Sequence, residues 1–247
     1  HNFIPEINNE FKIYKRNLKI HYNLINDISK REKVNFVHLS LHLEGNPVTL
    51  PDTQKIILED IIPKDYKMTS IQEVTNYKNV VDLMLSNSEK GMKINLAIIL
   101  NYHRIAMVHI PEAGTLRTQN VVIKLNPHFK TCDWRSIPVK LNQLINKYNQ
   151  FEKEKKDIGK IISFAAFFHN EFQRIHPFID GNSRTSRLLM LHILRSYQIP
   201  VLNLQIGYID IYLDLTKRSR KRDDEAFQHL IEEIAFFNLR NINTTLS

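Results

Sequence analysis

Twelve residues in the second half of the chain, from His176 to Arg187, carry side chains suited to phosphate chemistry. A histidine can accept a proton near neutral pH, and His176 opens the segment. Asp180 supplies a hard carboxylate of the kind that binds Mg²⁺ beside phosphates. Arg184 and Arg187 are three residues apart, so in a helix both can face the same phosphates. The segment therefore predicts a phosphate site with a base at its mouth.

The backbone that follows Asp180 is expected to complete this site. Gly181 removes side-chain bulk where the chain must approach an anion. Asn182 or Ser183 is an N-cap residue by type, and the start of a helix offers free N–H groups and partial positive charge. The six glycines are too far apart for a GxGxxG or P-loop motif, so a bound nucleotide needs this other cradle.

The elements that must position this segment are predicted to be helical. Apolar residues recur at helical spacing through most of the chain, and six glycines in 247 residues indicate few tight turns. The exception is 115–125, where the β-branched run 121–123 favours a β-hairpin. We therefore expect an all-α fold with one small β-hairpin. Helices are predicted over 3–30, 35–45, 49–62, 70–86, 93–109, 136–151, 158–175, 183–197, 206–217 and 223–240.

Composition narrows the class of protein. The chain is 43% hydrophobic and 24% charged, which is typical of a soluble globular protein, and it has no apolar run long enough to span a membrane. One cysteine, Cys132, excludes an internal disulfide and fits a reducing compartment, so we expect a cytoplasmic protein. The net charge is +8, but the only dense basic run is 217–222, which is read as a solvated face. Nucleic acid is therefore not expected as a partner.

The segment 176–184 resembles the signature of the Fic family, HPFx[D/E]GN[G/K]R, at eight of its nine positions. Residues 165–175 look like the family's helix that leads into this loop, and 185–187 extend the match. The departure is Ser183, where the family has Gly or Lys; we expect activity to survive it. The resemblance implies a protein adenylyltransferase, which moves AMP from ATP to a Ser, Thr or Tyr hydroxyl of a target protein and releases pyrophosphate.

The resemblance also implies a role for each residue of the loop. His176 would deprotonate the target hydroxyl, and Asp180 would hold the Mg²⁺ cofactor that bridges two phosphates of ATP. Arg184 would grip the β-phosphate region. The anion hole would be formed by Gly181, Asn182 and the amides around Ser183.

A second segment, 40–46, resembles the family's inhibitory signature [S/T]xxxE[G/N] through Ser40, Glu44 and Gly45. It lies N-terminal to the loop, as in the class of the family that carries its inhibitory helix on that side. By this resemblance Glu44 would pair with Arg187, which otherwise holds the γ-phosphate of ATP. An occupied Arg187 would leave ATP misoriented.

Residues 113–123 look like the family's flap, a hairpin over the catalytic loop that can receive the target segment as an added strand. Thr118 lies in this flap, and Ile123 is predicted to touch the base of the nucleotide. By resemblance, Tyr212 and Leu215 line the adenine side. We predict an N-terminal helical region over 1–85, a catalytic core over 86–235 and a tail over 236–247; a homodimer is compatible with the family.

Two other functions remain open from the sequence. The first is removal of AMP from a modified target, in which Glu44 would orient water instead of blocking ATP. The second is a non-catalytic module that senses nucleotide or binds nucleic acid through 217–222.

Overall fold

The chain folds into α-helices joined by loops. The computed structural model describes residues 2–247, apart from the side chain of Ile206. The described residues contain no β-strand, which confirms the helical part of the predicted fold class. Short 3₁₀ helices span Trp134–Ser136 and Ile206–Tyr208. The α-helices are α1 (Ile4–Ile20), α2 (Tyr22–His42), α3 (Leu50–Glu59), α4 (Met68–Glu89), α5 (Leu96–Ala106), α6 (Ile137–Lys153), α7 (Ile158–Ile175), α8 (Asn182–Ser196), α9 (Ile209–Leu215) and α10 (Asp224–Thr245).

The centre of the fold is the helical hairpin made by α7 and α8. α4 and α5 pack against α8, whereas α6 and α10 pack against α7. Every side chain from Arg184 to Leu194 is buried, because α8 is enclosed by helices on all sides. The loop 176–181, which joins the two helices, is therefore held on a rigid support.

The N-terminal helices bring a distant part of the sequence to this centre. α2 packs against α3 and α4, and α1 packs against α10. The end of α2 consequently lies near α8, about 140 residues further along the chain. Within the described part of the chain, none of the helices combines the length and the apolarity needed to cross a bilayer.

Helix α8 begins at a glycine, without a side-chain cap. Its N-cap is Gly181, at a φ of 83°, and no side chain caps it, so the expectation of Asn182 or Ser183 at this position was wrong. The Asn182 side chain instead bonds back to Phe178. Four other helices begin with a side chain that accepts a backbone N–H: Thr49, Asn95, Asp157 and Asp223. The first N–H groups of α8 are thus left for a ligand.

The β-hairpin predicted over 115–125 does not form, since none of these residues is in a strand. Its backbone bonds elsewhere: the Arg117 N–H donates to the Pro177 carbonyl at 2.9 Å. The stretch around Cys132 also bonds to this part of the fold, since the Cys132 N–H donates to the Arg174 carbonyl at 3.2 Å. Both stretches thus form backbone hydrogen bonds with the end of α7 or with the loop 176–181. We call residues 113–125 the flap segment.

Several predicted helix limits also differ from the structure. The helix expected over 3–30 breaks at His21, and the one expected to reach residue 62 ends at Glu59, because Asp60 takes a left-handed φ of 52°. Residues 236–245 of the predicted tail form the second half of α10, which packs on α1. The helix predicted over 35–45 is not separate, because α2 runs without a break from Tyr22 to His42. The remaining predicted helices are present with shifts of a few residues, apart from α9, which is limited to Ile209–Leu215.

Candidate active site

The loop 176–181 turns sharply because two of its residues take left-handed backbone conformations. His176 ends α7 with a φ of 50°, and Gly181 begins α8 with a φ of 83°. A Cβ at Gly181 would come within 2.7 Å of the Met107 side chain. Glycine is therefore required here both by the backbone angle and by space. Between the two turns, Phe178 is fully buried and anchors the loop.

His176 is held in one tautomer. Its Nδ1 lies 3.2 Å from the Gln173 carbonyl oxygen. A carbonyl only accepts hydrogen bonds, so Nδ1 carries the proton and Nε2 has a free lone pair. Burial lowers the pKa of His176 to about 4, and the ring is therefore neutral at pH 7. The histidine is ready to accept a proton through Nε2.

Arg117, which the sequence did not single out, binds the loop from the flap segment. Its buried guanidinium donates to the His176 carbonyl at 2.6 Å and to the Ile175 carbonyl at 3.2 Å. Further bonds reach the carbonyls of Gln119 and Cys132. Because the final carbonyls of a helix carry partial negative charge, this cation stabilises the end of α7 and the backbone of His176.

His103 of α5 supports the other end of the loop. Its Nδ1 accepts the Gly114 N–H at 2.8 Å, so the proton is on Nε2, which donates to the Asp180 carbonyl at 2.7 Å. The ring stacks on Phe178 with 3.6 Å between centroids. Burial lowers the pKa of His103 to about 4. A neutral imidazole thus ties the start of the flap segment to the loop.

Arg187 lies at the centre of a buried polar network. It donates to Oε1 of Glu44 at 2.9 Å, to Oγ of Ser40 at 2.8 Å and to the Tyr212 hydroxyl at 3.3 Å. Burial by itself disfavours the charge of Arg187, but the tyrosines and Glu44 around it outweigh burial and raise its pKa. The structure therefore brings together the predicted residues Ser40, Glu44 and Arg187, whereas Gly45 is an exposed turn glycine beside them.

Glu44 has a second cationic partner, Lys217, whose Nζ contacts Oε2. Burial alone would raise the pKa of Glu44, but the charges of Arg187 and Lys217 and their hydrogen bonds lower it to about 2. The carboxylate is thus ionised and has a cation on each oxygen. Sequence reasoning placed Lys217 only in a solvated basic run.

Arg184 also has an acidic partner that the sequence did not indicate. Its guanidinium donates to Oε2 of Glu73, on α4, at 2.9 Å. On its other side, Nη2 lies 3.5 Å from the carboxylate of Asp180. The side chain of Asp180 is 63% exposed, so it is free to bind a cation at the rim of the site.

The hydroxyl of Ser183, the departure from the family signature, faces α7. It accepts a hydrogen bond from Nε2 of Gln173, on that helix, at 3.0 Å. Gln173 in turn supplies the carbonyl that fixes the tautomer of His176. The serine side chain is therefore linked to the support of the histidine without closing the start of α8.

These groups surround a cavity of about 270 Å³. It is lined by Glu44, Ile123, His176, Asp180, Gly181, Asn182, Ser183 and Lys217, among others. A second cavity of about 250 Å³ adjoins it through Phe129, Gln173 and Thr216. The base, the start of α8 and the carboxylate of Glu44 all face one space.

The four residues predicted for the flap and the adenine side are placed differently from one another. Ile123 lines the first cavity and Leu215 lines the second. Thr118 is exposed on the flap segment. Tyr212 is 3% exposed, and its hydroxyl bonds His169 at 2.9 Å. Tyr212 therefore contacts Arg187 in the core and lines neither cavity.

The basic run 217–222 is largely paired with acids. Besides Lys217, Arg218 binds Asp210 and Asp214, and Arg222 binds Glu171 and Asp224. Internal neutralisation of this kind reduces the field that the run presents to a polyanion.

Residues 93–194, which span α5 to the last residues of α8, match the model of the Fic/DOC family. The chain therefore contains a Fic domain. The match includes the whole loop with His176 and both arginines, together with the flap segment. The Fic domain lies within the predicted catalytic core, 86–235, whereas the helix that carries Glu44 lies outside it.

Relatives of this Fic domain are named protein adenylyltransferase Fic. The one from Nematostella vectensis is 30% identical over 195 residues, which are 77% of this chain and 44% of that protein. The one from Drosophila persimilis is 25% identical over 195 residues, which are 77% of this chain and 35% of that protein. The chain spans less than half the length of these curated relatives.

Solved structures share the fold around the Fic domain. A Fic domain containing signaling protein from Bacteroides thetaiotaomicron superposes with a TM-score of 0.84 at 19% identity, over 95% of this chain and 94% of that one. A Fic family protein from Desulfovibrio desulfuricans gives 0.75 at 22% identity, over 99% and 76%. The likeness extends beyond the Fic domain to the N-terminal helices and α10.

Proposed function

We propose that this chain is an autoinhibited protein adenylyltransferase, which transfers AMP from ATP to a hydroxyl side chain of a target protein. The observation that carries the proposal is the shared cavity. His176, with its free Nε2, faces the same space as the uncapped start of α8 and as Glu44, which in turn binds Arg187. The names of the relatives support this reaction.

In the proposed reaction, Nε2 of His176 accepts the proton of the target hydroxyl. The hydroxyl oxygen then forms a bond to the α-phosphorus of ATP, and the bond from that phosphorus to the bridging oxygen of the β-phosphate breaks. Pyrophosphate leaves, and the target keeps AMP. A positioned general base of this kind contributes about 10²–10⁴-fold to the rate.

The nucleotide phosphates would bind at the start of α8. The N–H groups of Asn182 and Ser183 lie there without a side-chain cap, and Arg184 reaches the same end of the helix. The exposed carboxylate of Asp180 fits a Mg²⁺ that takes its other ligands from phosphate and water. Such an ion, when bound, would neutralise charge on the phosphates.

Autoinhibition would follow from the contact between Glu44 and Arg187. While Arg187 is bound to Glu44, it cannot hold the γ-phosphate, and ATP would be misplaced relative to His176. The chain would then belong to the class with an N-terminal inhibitory helix, here α2 with Glu44 in the turn that follows it. Both groups stay charged at neutral pH, so the contact would persist until α2 moves or is altered.

The target would bind along the flap segment. The segment exposes the apolar side chains of Val122, which lines the cavity, and of Leu125. A peptide of the target could lie along it, past Thr118 and Ile123, and present a hydroxyl to His176.

The test is labelling with ATP that carries a radioactive α-phosphate. Replacing Glu44 by glycine frees Arg187 from a charged hydrogen bond, and we expect labelling of the chain or of an added target to rise about tenfold or more. Equal or weaker labelling in the Glu44→Gly variant would show that Glu44 does not inhibit.

Two variants control this experiment. Adding His176→Ala to Glu44→Gly should abolish labelling, because the base is lost while the phosphate site remains. Glu44→Asp keeps the charge on a shorter side chain and should give an intermediate level. Label that survives His176→Ala would argue against transfer by this site.

Removal of AMP from a modified target is the second candidate, because Glu44 and His176 line one cavity. Here Glu44 would orient a water molecule, so Glu44→Gly should abolish release of AMP from a modified protein. The two functions thus predict opposite effects of the same substitution.

A further inference from the structure

Glu44 inserts a carboxylate between two cations. Oε1 accepts from Arg187 at 2.9 Å, and Oε2 contacts Nζ of Lys217. The Arg187 side chain is 3% exposed and that of Glu44 is 13% exposed. The three residues come from the end of α2, from α8 and from the turn after α9, so they meet only in the folded protein.

Bonds that do not involve the carboxylate hold the Arg187 side chain and the Lys217 backbone. Arg187 is bound by Tyr212 and by Ser40. The amide of Asn126 donates to the Lys217 carbonyl at 2.8 Å, which anchors that residue at the cavity that it lines. Removing the carboxylate of Glu44 would therefore leave Arg187 in place and release the ammonium of Lys217 at the cavity.

Two like charges that meet at one carboxylate repel each other in a partly buried site, and an anion between them offsets that repulsion. The carboxylate of Glu44 has the charge and the paired oxygens that a phosphate group also offers. The cavity that contains Glu44 and Lys217 is the one that contains His176 and the start of α8.

We infer that Lys217 supplies a second cation, beside Arg187, to the site already proposed for the terminal phosphate of ATP, and that Lys217 contacts that phosphate when Glu44 is displaced. The inference rests on the proposed function, since it places the nucleotide in this cavity. It adds Lys217 as a residue that selects a triphosphate over a monophosphate. A monophosphate has no group that extends to the pair.

The experiment measures nucleotide binding without any transfer. In the Glu44→Gly variant, calorimetry gives the Kd for ATP and for AMP with no target present. Adding Lys217→Met should weaken ATP binding about tenfold, which is typical for the loss of one charged hydrogen bond at a partly exposed site. AMP binding should change less than about twofold.

Two control variants distinguish a contact of Lys217 with phosphate from a nonspecific effect of removing a lysine. Lys217→Arg keeps the charge and should restore ATP binding to within about threefold. Lys221→Met removes an exposed lysine four residues away, outside the cavity lining, and should leave both Kd values unchanged. An unchanged Kd for ATP in Lys217→Met, or an equal loss for ATP and AMP, would overturn the inference.

Failure of the inference and failure of the proposed function give different results. If labelling by Glu44→Gly persists but Lys217→Met binds ATP normally, the inference falls and the function stands. Inorganic tripolyphosphate is the probe for the reverse case. If it binds in a Lys217-dependent way while labelling is absent, the anion site stands and the transferase function falls.

Discussion

At the level of single residues, the proposed chemistry depends on which nitrogen of His176 is free. The carbonyl of Gln173 holds the proton on Nδ1, so the lone pair of Nε2 faces the cavity. Burial keeps the pKa of the ring at about 4, well below that of a solvated histidine. The residue is therefore already deprotonated over the whole physiological range of pH.

This low pKa predicts an unusual pH profile for labelling by the Glu44→Gly variant. The active form is the deprotonated one, so activity is present above the folded pKa and is lost as the pH falls through about 4. We expect kcat/KM to be flat from about pH 6 to 8 and to decline only below about pH 5. Initial rates should be compared with circular dichroism at each pH. A half-maximum near 6.5 would mean that the ring titrates as a solvated histidine.

At this scale the sequence singled out His176, Asp180 and both arginines by their types and spacing within 176–187. The family resemblance also paired Glu44 with Arg187, but two other distant partners were not predicted. Glu73 and Lys217 bind Arg184 and Glu44 across 111 and 173 positions of sequence. Which helix faces supply such partners depends on how the helices pack, and no local pattern encodes that packing.

At the level of elements, the loop between α7 and α8 is shaped from outside. Arg117 binds its first carbonyls, His103 binds its last, and Met107 packs against Gly181. The flap segment uses its backbone groups for this support, which explains why the predicted hairpin does not form. Periodicity located the helices well because it reports a buried face. The β-branched run 121–123 favoured a strand, and it could not reveal that the flap segment would form hydrogen bonds with a neighbouring loop.

Gly181→Ala tests this support. The new Cβ would lie 2.7 Å from Met107 at a φ of 83°, so we expect a loss of about 1–3 kcal/mol in the free energy of unfolding. In the Glu44→Gly background, labelling should fall at least about tenfold, because a misplacement of the loop by about 1 Å costs up to about 10²-fold. Urea titration and labelling measure the two effects.

Gly91→Ala is the matched control. Gly91 has a φ of 73° but no atom within 4 Å of an added Cβ. The Gly91→Ala substitution therefore introduces the backbone strain without the steric clash. We expect a smaller loss of stability and unchanged labelling. Equal effects of the two substitutions would show that Met107 does not constrain the loop.

At the level of the whole molecule, burial of neutral histidines makes the fold sensitive to acid. His103 and His169 are fully buried, and burial lowers their pKa values to about 4 and about 3; that of His176 is about 4. Below pH 6.5 the unfolded chain binds protons at these positions and the native chain does not. Glu32 acts in the opposite direction, because burial raises its pKa to about 7.

The net effect is an uptake of about two protons on unfolding between pH 6 and pH 5. Each proton taken up on unfolding lowers the free energy of unfolding by about 1.4 kcal/mol for each unit that the pH falls. The free energy of unfolding should therefore decrease by roughly 2–3 kcal/mol between pH 6 and pH 5. Urea denaturation at pH 5, 6 and 7 measures it. Glu32→Gln removes the opposing group and should steepen the decline. A free energy that stays constant from pH 7 to 5 would contradict the neutral state of these rings.

The external support of the catalytic loop limits how far this motif can be engineered. Transplanting residues 176–187 onto another helical hairpin would transfer the base and the arginines, but not Arg117, His103 or Met107, which fix both left-handed turns. The recipient would hold the residues without their geometry. The smallest unit that can be moved between scaffolds is therefore the loop together with α5, α7, α8 and the flap segment.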